Sequence, residues 1–323
     1  MIYKFILGFL LSFITIFVLM PYYIKALKNR QINQVTSDYA LNEFKNKDKT
    51  PIMGGLLFVI IPIIIYIIVN PKGIIEQSTL FVVLSFILFC LIGFLDDILV
   101  IIRNNNEGLS PLTRIIMEFV FSVGLYFIFS KIIPCQITIP FINIGIQISP
   151  IIFIPFMSLL YMAEANAVNF TDGMDGLCAG VSFIGLISLS ILTIVRNKTN
   201  IAILIICILG GLLAYLHYNK YPAKIFMGDS GSLALGALFT SIALVLDNTI
   251  ALFFIGGVFV IEMFCVVVQQ ISVRLFHKRV FSYTPIHYAF VLKGYKETKV
   301  VLMFYLLEAV LTIIGLIIGL NTL

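Results

Sequence analysis

Residues 79–100 read TLFVVLSFILFCLIGFLDDILV. No charged side chain interrupts the run until Asp96 and Asp97, which stand side by side near its end. A transmembrane helix needs roughly 20 mainly apolar residues. This stretch is therefore a membrane span that carries two carboxylates at one end, and the rest of the chain repeats the pattern. Candidate spans lie at about 2–24, 54–69, 79–100, 113–133, 150–163, 177–195, 201–217, 231–246, 250–273 and 300–320. The second and fifth are short and must borrow loop residues or be broken or tilted.

Composition agrees. The chain of 323 residues is 60% hydrophobic and 11% charged, with a mean hydropathy of +1.09. Soluble domains run at about 45–50% apolar and about 25% charged. The charge deficit excludes a soluble enzyme, a disordered chain and a nucleic-acid-binding domain. The first apolar run is too long for a cleavable signal and no small-x-small site follows it. Strand-type alternation is too sparse for a membrane barrel. Cys90, Cys135, Cys178, Cys207 and Cys265 are scattered without metal spacing, as small hydrophobes would be. The expected fold is one all-α, polytopic integral-membrane domain over 1–323, with about ten spans.

Basic residues orient it. Sixteen of the 21 Lys and Arg fall on loops that follow odd-numbered spans, and five on the N-terminus and the even loops. By the positive-inside bias the odd loops are cytoplasmic and both termini lie outside.

The sixteen acidic residues are few, so their positions carry information. Asp96 and Asp97 end the third span; Asp172 and Asp175 lie in Asn166-Ala167-Val168-Asn169-Phe170-Thr171-Asp172-Gly173-Met174-Asp175-Gly176-Leu177 after the fifth; Asp229 lies in Phe226-Met227-Gly228-Asp229-Ser230-Gly231-Ser232-Leu233 before the eighth. An orientation built on Lys and Arg alone puts all three clusters on the cytoplasmic face. Acids at membrane depth are costly and functional by default. Carboxylates without a Cys/His cage suit a hard cation such as Mg²⁺, which keeps waters and takes one or two carboxylates plus substrate phosphates. Glycines beside the acids let backbone N–H groups approach phosphate, and the start of the eighth span offers a helix N-terminus to it. The pattern points to phosphoryl transfer from a nucleotide-activated donor to a lipid acceptor. A transporter would place its acids near the midplane and often show an inverted repeat; here the acids sit at one face and no repeat is evident.

These motifs, with Thr50-Pro51-Ile52-Met53-Gly54-Gly55, Tyr218-Asn219 before Pro222-Ala223, Phe259-Val260-Ile261-Glu262, and Pro285-Ile286-His287 before Leu292-Lys293-Gly294, resemble the polyprenyl-phosphate N-acetylhexosamine-1-phosphate transferases. Within them the chain is most similar to the branch that transfers phospho-N-acetylmuramoyl-pentapeptide. The similarity runs from about Lys45 to Gly315. It implies a multi-pass plasma-membrane enzyme with a cytoplasmic active site. That enzyme moves the phospho-sugar-peptide from UDP to undecaprenyl or another polyprenyl phosphate, releases UMP, and makes the first lipid-linked peptidoglycan precursor. It also implies Mg²⁺ held by Asp229 and Asp172, with Asp96 and Asp97 around the ion and phosphates and one of the pair activating the acceptor. Asn169, Asp175 and Asn219 would hold the nucleotide, Phe226 would stack on uracil, and Lys47 and Thr50 would meet substrate. His287 matches the family's histidine motif, making Asp96, Asp97, Asp229 and His287 the catalytic candidates. Candidate partners are the UDP-sugar, polyprenyl phosphate, membrane lipid and, as a homodimer, a second copy of the chain. Five positions depart from the family pattern: Tyr288 and Ala289 replace two histidines, Val100 and Glu107 stand where lysines are usual, and Ser282 replaces an arginine. The alternatives they raise are a transferase of a UDP-N-acetylhexosamine without peptide, or a catalytically weakened member.

Overall fold

Helix α8 (Asp229–Val245) runs through the centre of the bundle, and every residue from Ser230 to Leu244 is buried. A helix apolar on all sides must be enclosed on all sides, and small residues set how closely its neighbours approach. A Cβ on Gly55 would collide with the backbone of Gly231, one on Gly93 with that of Asp229, and one on Gly236 with that of Ala165. Those three glycine contacts pin α8 against helices α2 (Gly55–Val69), α3 (Gln77–Arg103) and α5 (Pro150–Thr171).

The computed structural model describes residues 2–33, 50–103 and 107–322. The remaining elements, in order, are α1 (Ile2–Asn29), α4 (Pro111–Phe129), the strands β1 (Gln136–Ile139) and β2 (Ile144–Gln147), α6 (Leu177–Val195), α7 (Thr199–Asn219), α9 (Thr249–Ile255), α10 (Gly257–Phe276), α11 (Ile286–Leu292) and α12 (Glu297–Leu320). Among the described residues, eight helices are long and apolar enough to cross a membrane, and α2 and α8 are shorter apolar helices. The protein is a polytopic, all-α membrane protein. The large exposed apolar side chains of α1, α4 and α12, such as Leu10, Phe127 and Val310, form surface that only lipid can cover.

The two ends of the bundle alternate as the loops require. At one end Lys4 donates to Asn70 at 2.8 Å and Asn70 to Asn200 at 2.8 Å; Arg196 donates to the Thr322 carbonyl at 2.8 Å, and Phe141 N–H to the Asn321 carbonyl at 2.8 Å. That end thus gathers the start of α1, the α2–α3 turn, the β-hairpin, the α6–α7 turn and the end of α12. All three aspartate clusters lie at the other end.

Four local features differ from the sequence reading. The fifth span was expected to stop at 163, but α5 continues to Thr171. Glu164 and Asn166 broke the apolar pattern there, yet the helix continues because Asn166 and Asn169 point at polar partners on α4 and α8. The ninth span, read as continuous over 250–273, breaks at Gly256 into α9 and α10. The new helix start is capped from outside: Val258 N–H donates to Glu308 Oε2 at 3.0 Å, and Thr312 holds the other oxygen at 3.0 Å. This explains a glutamate in the middle of α12. The β1–β2 hairpin, paired antiparallel with Gln136 opposite Gln147, and the short α11 were not anticipated. Of the five cysteines, all are free and four are buried.

Candidate active site

The site is assembled around the first turn of α8. Gly228 has φ +77°, a left-handed conformation that glycine adopts readily, and it turns the chain sharply into the helix. Asp97 on α3 then accepts from Asp229 N–H through Oδ1 at 3.0 Å and from Ser230 N–H through Oδ2 at 3.1 Å. A carboxylate there satisfies two of the N–H groups a helix start leaves open, and its charge suits the positive end of the dipole. The sequence reading offered this helix end to substrate phosphate. The structure corrects that, since the first two donors belong to Asp97.

Asp96 lies about 100° around the helix from Asp97. It is buried, and its Oδ1 accepts from Leu109 N–H at 3.0 Å. Its Oδ2 faces Gly108, where a side chain would collide with it. The two aspartates therefore serve different segments.

Asp229 is partly exposed and held from two sides. Asn169 donates to Oδ1 at 2.8 Å and to Ser232 Oγ at 3.0 Å. Arg114, on the first turn of α4, donates to Oδ2 at 2.8 Å and to Asn166 Oδ1 at 2.6 Å. Asn166 in turn donates to Glu118 Oε2 at 2.9 Å. Ser110 starts α4 by accepting from Thr113 N–H at 3.1 Å, with Pro111 at the first helical position. Arg114 is one of the basic residues counted toward the cytoplasmic side, and its sequence neighbours do not link it to Asp229. The usable signal was an arginine in the first turn of a span whose neighbouring loops hold the acids.

Beyond α5 the chain folds over the site. Asp172 follows the last turn of α5, and its pKa is pushed well above the usual carboxylate value, first by burial and then by the charges of Asp229, Asp97 and Asp175. Those causes place Asp172 in the field of the other acids. Asp175 accepts from Ala223 N–H at 2.9 Å, while its own N–H donates to Glu297 at 2.8 Å. Asn219 accepts from Gly176 N–H at 3.1 Å and donates to the Ile225 carbonyl at 3.0 Å. Asp175 and Asn219 thus tie the 172–176 turn to the 220–226 loop. Phe226 is half-buried and sits in a backbone exchange with the Thr50 motif: Phe226 N–H donates to Pro51 O at 2.8 Å, and Gly54 N–H to Phe226 O at 2.8 Å. Thr50 adjoins that pairing. Lys47 lies outside the described residues.

His287 is wholly buried on α11. Its Nδ1 lies 3.0 Å from Glu262 Oε1, and Glu262 also accepts from Ile286 N–H at 2.7 Å. Glu262, on α10, thus bonds the neighbouring helix α11. Among the described residues His287 Nε2 has no hydrogen-bond partner, and it faces Gly173. Tyr288, one of the departures, donates to the Gly173 carbonyl at 2.9 Å. His287 and Tyr288 therefore both close on the 172–176 turn.

The donor set fits one kind of metal. Among the described residues no group of three His, Cys, Asp or Glu is gathered into a cage. Oxygen ligands from one or two carboxylates, completed by water and phosphate, are the usual Mg²⁺ arrangement, and Asp229 with Asp172 nearby can supply them.

A family model for glycosyl transferase family 4 matches residues 79–247. Two relatives match over nearly the whole chain. One, from Staphylococcus aureus (strain bovine RF122 / ET3-1), is 37% identical over 319 residues, covering 97% of this chain and 98% of its own. Another, from Clostridium beijerinckii, is 39% identical over 313 residues, covering 97% and 94%. Both are named phospho-N-acetylmuramoyl-pentapeptide-transferase. The chain belongs to glycosyl transferase family 4. The family match encloses Asp96, Asp97, Asn169, Asp172, Asp175, Asn219, Phe226 and Asp229, the residues packed around the start of α8. Thr50, Lys47 and His287 lie outside it.

Proposed function

We propose that the chain transfers phospho-N-acetylmuramoyl-pentapeptide from its UDP donor to a polyprenyl phosphate such as undecaprenyl phosphate, at the cytoplasmic face of the plasma membrane. The observation that carries this reading is the convergence of three aspartate-bearing segments on Asp229 in a membrane-embedded member of the family. The similarity to relatives named for that reaction, over nearly their full length, supports the choice of donor. The 16-to-5 division of basic residues supports the cytoplasmic assignment of the aspartate end.

Asp229 and Asp172 would hold Mg²⁺, which when bound neutralises charge on the diphosphate and orients it. Asp96 is the better base of the adjacent pair, because Asp97 spends both oxygens on the start of α8. Among the described residues no protein donor reaches Asp96 Oδ2, so it can take a proton from the acceptor phosphate. The acceptor oxygen then attacks the β-phosphate of the donor, the bond between the two phosphates breaks, and UMP leaves. The buried His287 Nε2 faces the turn that Asp172 begins, where a donor oxygen can complete its hydrogen bonding. Phe226 offers an aromatic face to uracil.

Purified protein supplied with Mg²⁺, undecaprenyl phosphate and a panel of UDP-sugars tests the reading by UMP release. Turnover with UDP-N-acetylmuramoyl-pentapeptide well above that with UDP-N-acetylglucosamine is expected. The reverse preference would assign the enzyme to another cell-envelope glycan.

A further inference from the structure

Both oxygens of Asp229 are occupied by protein groups, and one of those groups is a cation. Arg114 Nη1 lies 2.8 Å from Oδ2, and Asn169 Nδ2 lies 2.8 Å from Oδ1. The guanidinium is not loosely placed. Nη2 is held by Asn166 at 2.6 Å and approaches Asn169 at 3.4 Å, and Nε lies 3.8 Å from Glu118. Glu118 is wholly buried, and Arg114 is itself mostly covered, with 18% of its side chain exposed. A divalent cation on Asp229 would bind about 2.0–2.1 Å from the same carboxylate. Two like charges would then share one small anionic site that is only partly open to water, where repulsion is less screened than between fully exposed charges.

We infer that Arg114 competes with the divalent cation for Asp229 and is released by the donor's diphosphate. This rests on the reading of Asp229 as the metal ligand. A guanidinium prefers paired anionic oxygens at fixed spacing, and a diphosphate supplies them. When the donor arrives, Arg114 swings from the carboxylate to the phosphates and Asp229 becomes free for the ion. Metal and nucleotide then bind cooperatively, each raising the affinity of the other by the same factor. The resting enzyme holds little metal, and loading waits for substrate.

The test measures Mn²⁺ binding by the EPR signal of free Mn²⁺, on full-length protein in detergent and without nucleotide. Arg114→Met removes the competitor and should tighten Mn²⁺ binding by about tenfold or more, within the usual range of site-to-site coupling. UDP should tighten binding in the wild type and do so less in Arg114→Met, where only direct contact of ion and phosphate remains. Arg114→Gln keeps a hydrogen-bonding partner for Asn166 and serves if the Met variant does not fold. Mn²⁺ binding no tighter in the neutral variant than in the wild type overturns the inference. Asp229→Asn in the Arg114→Met background separates the two levels. If that change leaves Mn²⁺ binding intact, the metal reading of Asp229 fails; if it abolishes binding while Arg114→Met alone binds no tighter than wild type, only the competition fails.

Discussion

Replacing either member of the Asp96-Asp97 pair by asparagine makes the same chemical change one residue apart, and the structure predicts different outcomes. Asp97 accepts two backbone N–H groups at the start of α8, one on each oxygen. Asparagine keeps one acceptor and turns an NH₂ toward the other donor. One hydrogen bond to a charged group is lost, typically about 1.5–3 kcal/mol. The negative charge at the helix N-terminus goes too, a further ~0.3–1 kcal/mol. Asp97→Asn should therefore destabilise the protein by about 2–4 kcal/mol. Asp96 accepts one backbone N–H through one oxygen, which asparagine can still do, so Asp96→Asn should change stability by less than about 1 kcal/mol. Thermal unfolding in detergent reads the difference as a Tm lower by several degrees for Asp97→Asn only, since ~1 kcal/mol shifts a domain of this class by roughly 2 °C. UMP release should fall at least ~10²-fold in both, through lost proton acceptance at Asp96 and through displacement of Asp229 when α8 loosens. Equal Tm values for the two variants would refute the division of labour between neighbouring aspartates.

Three other outcomes are expected. Asp229→Asn should remain folded, because the side chain is partly exposed and the asparagine oxygen still accepts from one of its two partners, Arg114 and Asn169, yet lose UMP release at every Mg²⁺ concentration; activity close to wild type would remove Asp229 from the site. Phe226→Ala should raise KM for the UDP donor by the equivalent of ~1–3 kcal/mol, the value of one base–aromatic stack, and leave KM for polyprenyl phosphate unchanged; equal rises for both substrates would mean that the ring only packs the cleft wall. Asp172, whose pKa is raised by burial and three neighbouring carboxylates, binds its proton more tightly folded than unfolded, so the stability it contributes is present at low pH and is lost as pH rises through the raised value. In chelator, Asp172→Asn should unfold at a higher temperature than wild type at pH 8, with the gap closing on acidification; no gap at pH 8 would refute the assignment.

Much of this was legible in the chain, for a physical reason. Lipid demands long apolar helices and leaves few polar residues unexplained, so the spans, their alternation between two ends and the gathering of three acidic segments follow from hydropathy and charge placement. The sequence was silent where a polar residue's partner is distant along the chain. Asn166 and Asn169 read as loop residues until α4 and α8 supply Glu118, Ser232 and Asp229 as partners. Gly256-Gly257 does not reveal a break until Glu308, about 50 residues on, caps the exposed N–H of Val258. Arg114 looked like any cytoplasmic cation because nothing local connects it to Asp229, which lies 115 positions away.

The buried acids of this bundle divide by what their oxygens are already doing. Asp97 spends both on the start of α8, Glu308 one on the start of α10, Glu262 both on the start of α11, and Asp175 anchors the 220–226 loop. Each satisfies N–H groups that a helix start or a tight loop would otherwise leave unpaired in a membrane-embedded protein, where an unpaired group is costly. Asp229 and Asp172 differ. Asp229 is met by side chains that can move, and Asp172 sits where burial and then neighbouring charges disfavour its ionised form. Held by movable partners or left under electrostatic stress, these two gain most from an arriving cation and phosphate. Asp96, whose single backbone bond through Oδ1 leaves its other oxygen over, joins the acids with movable or repelling partners as those positioned to react, and the remaining acids with backbone partners build the frame.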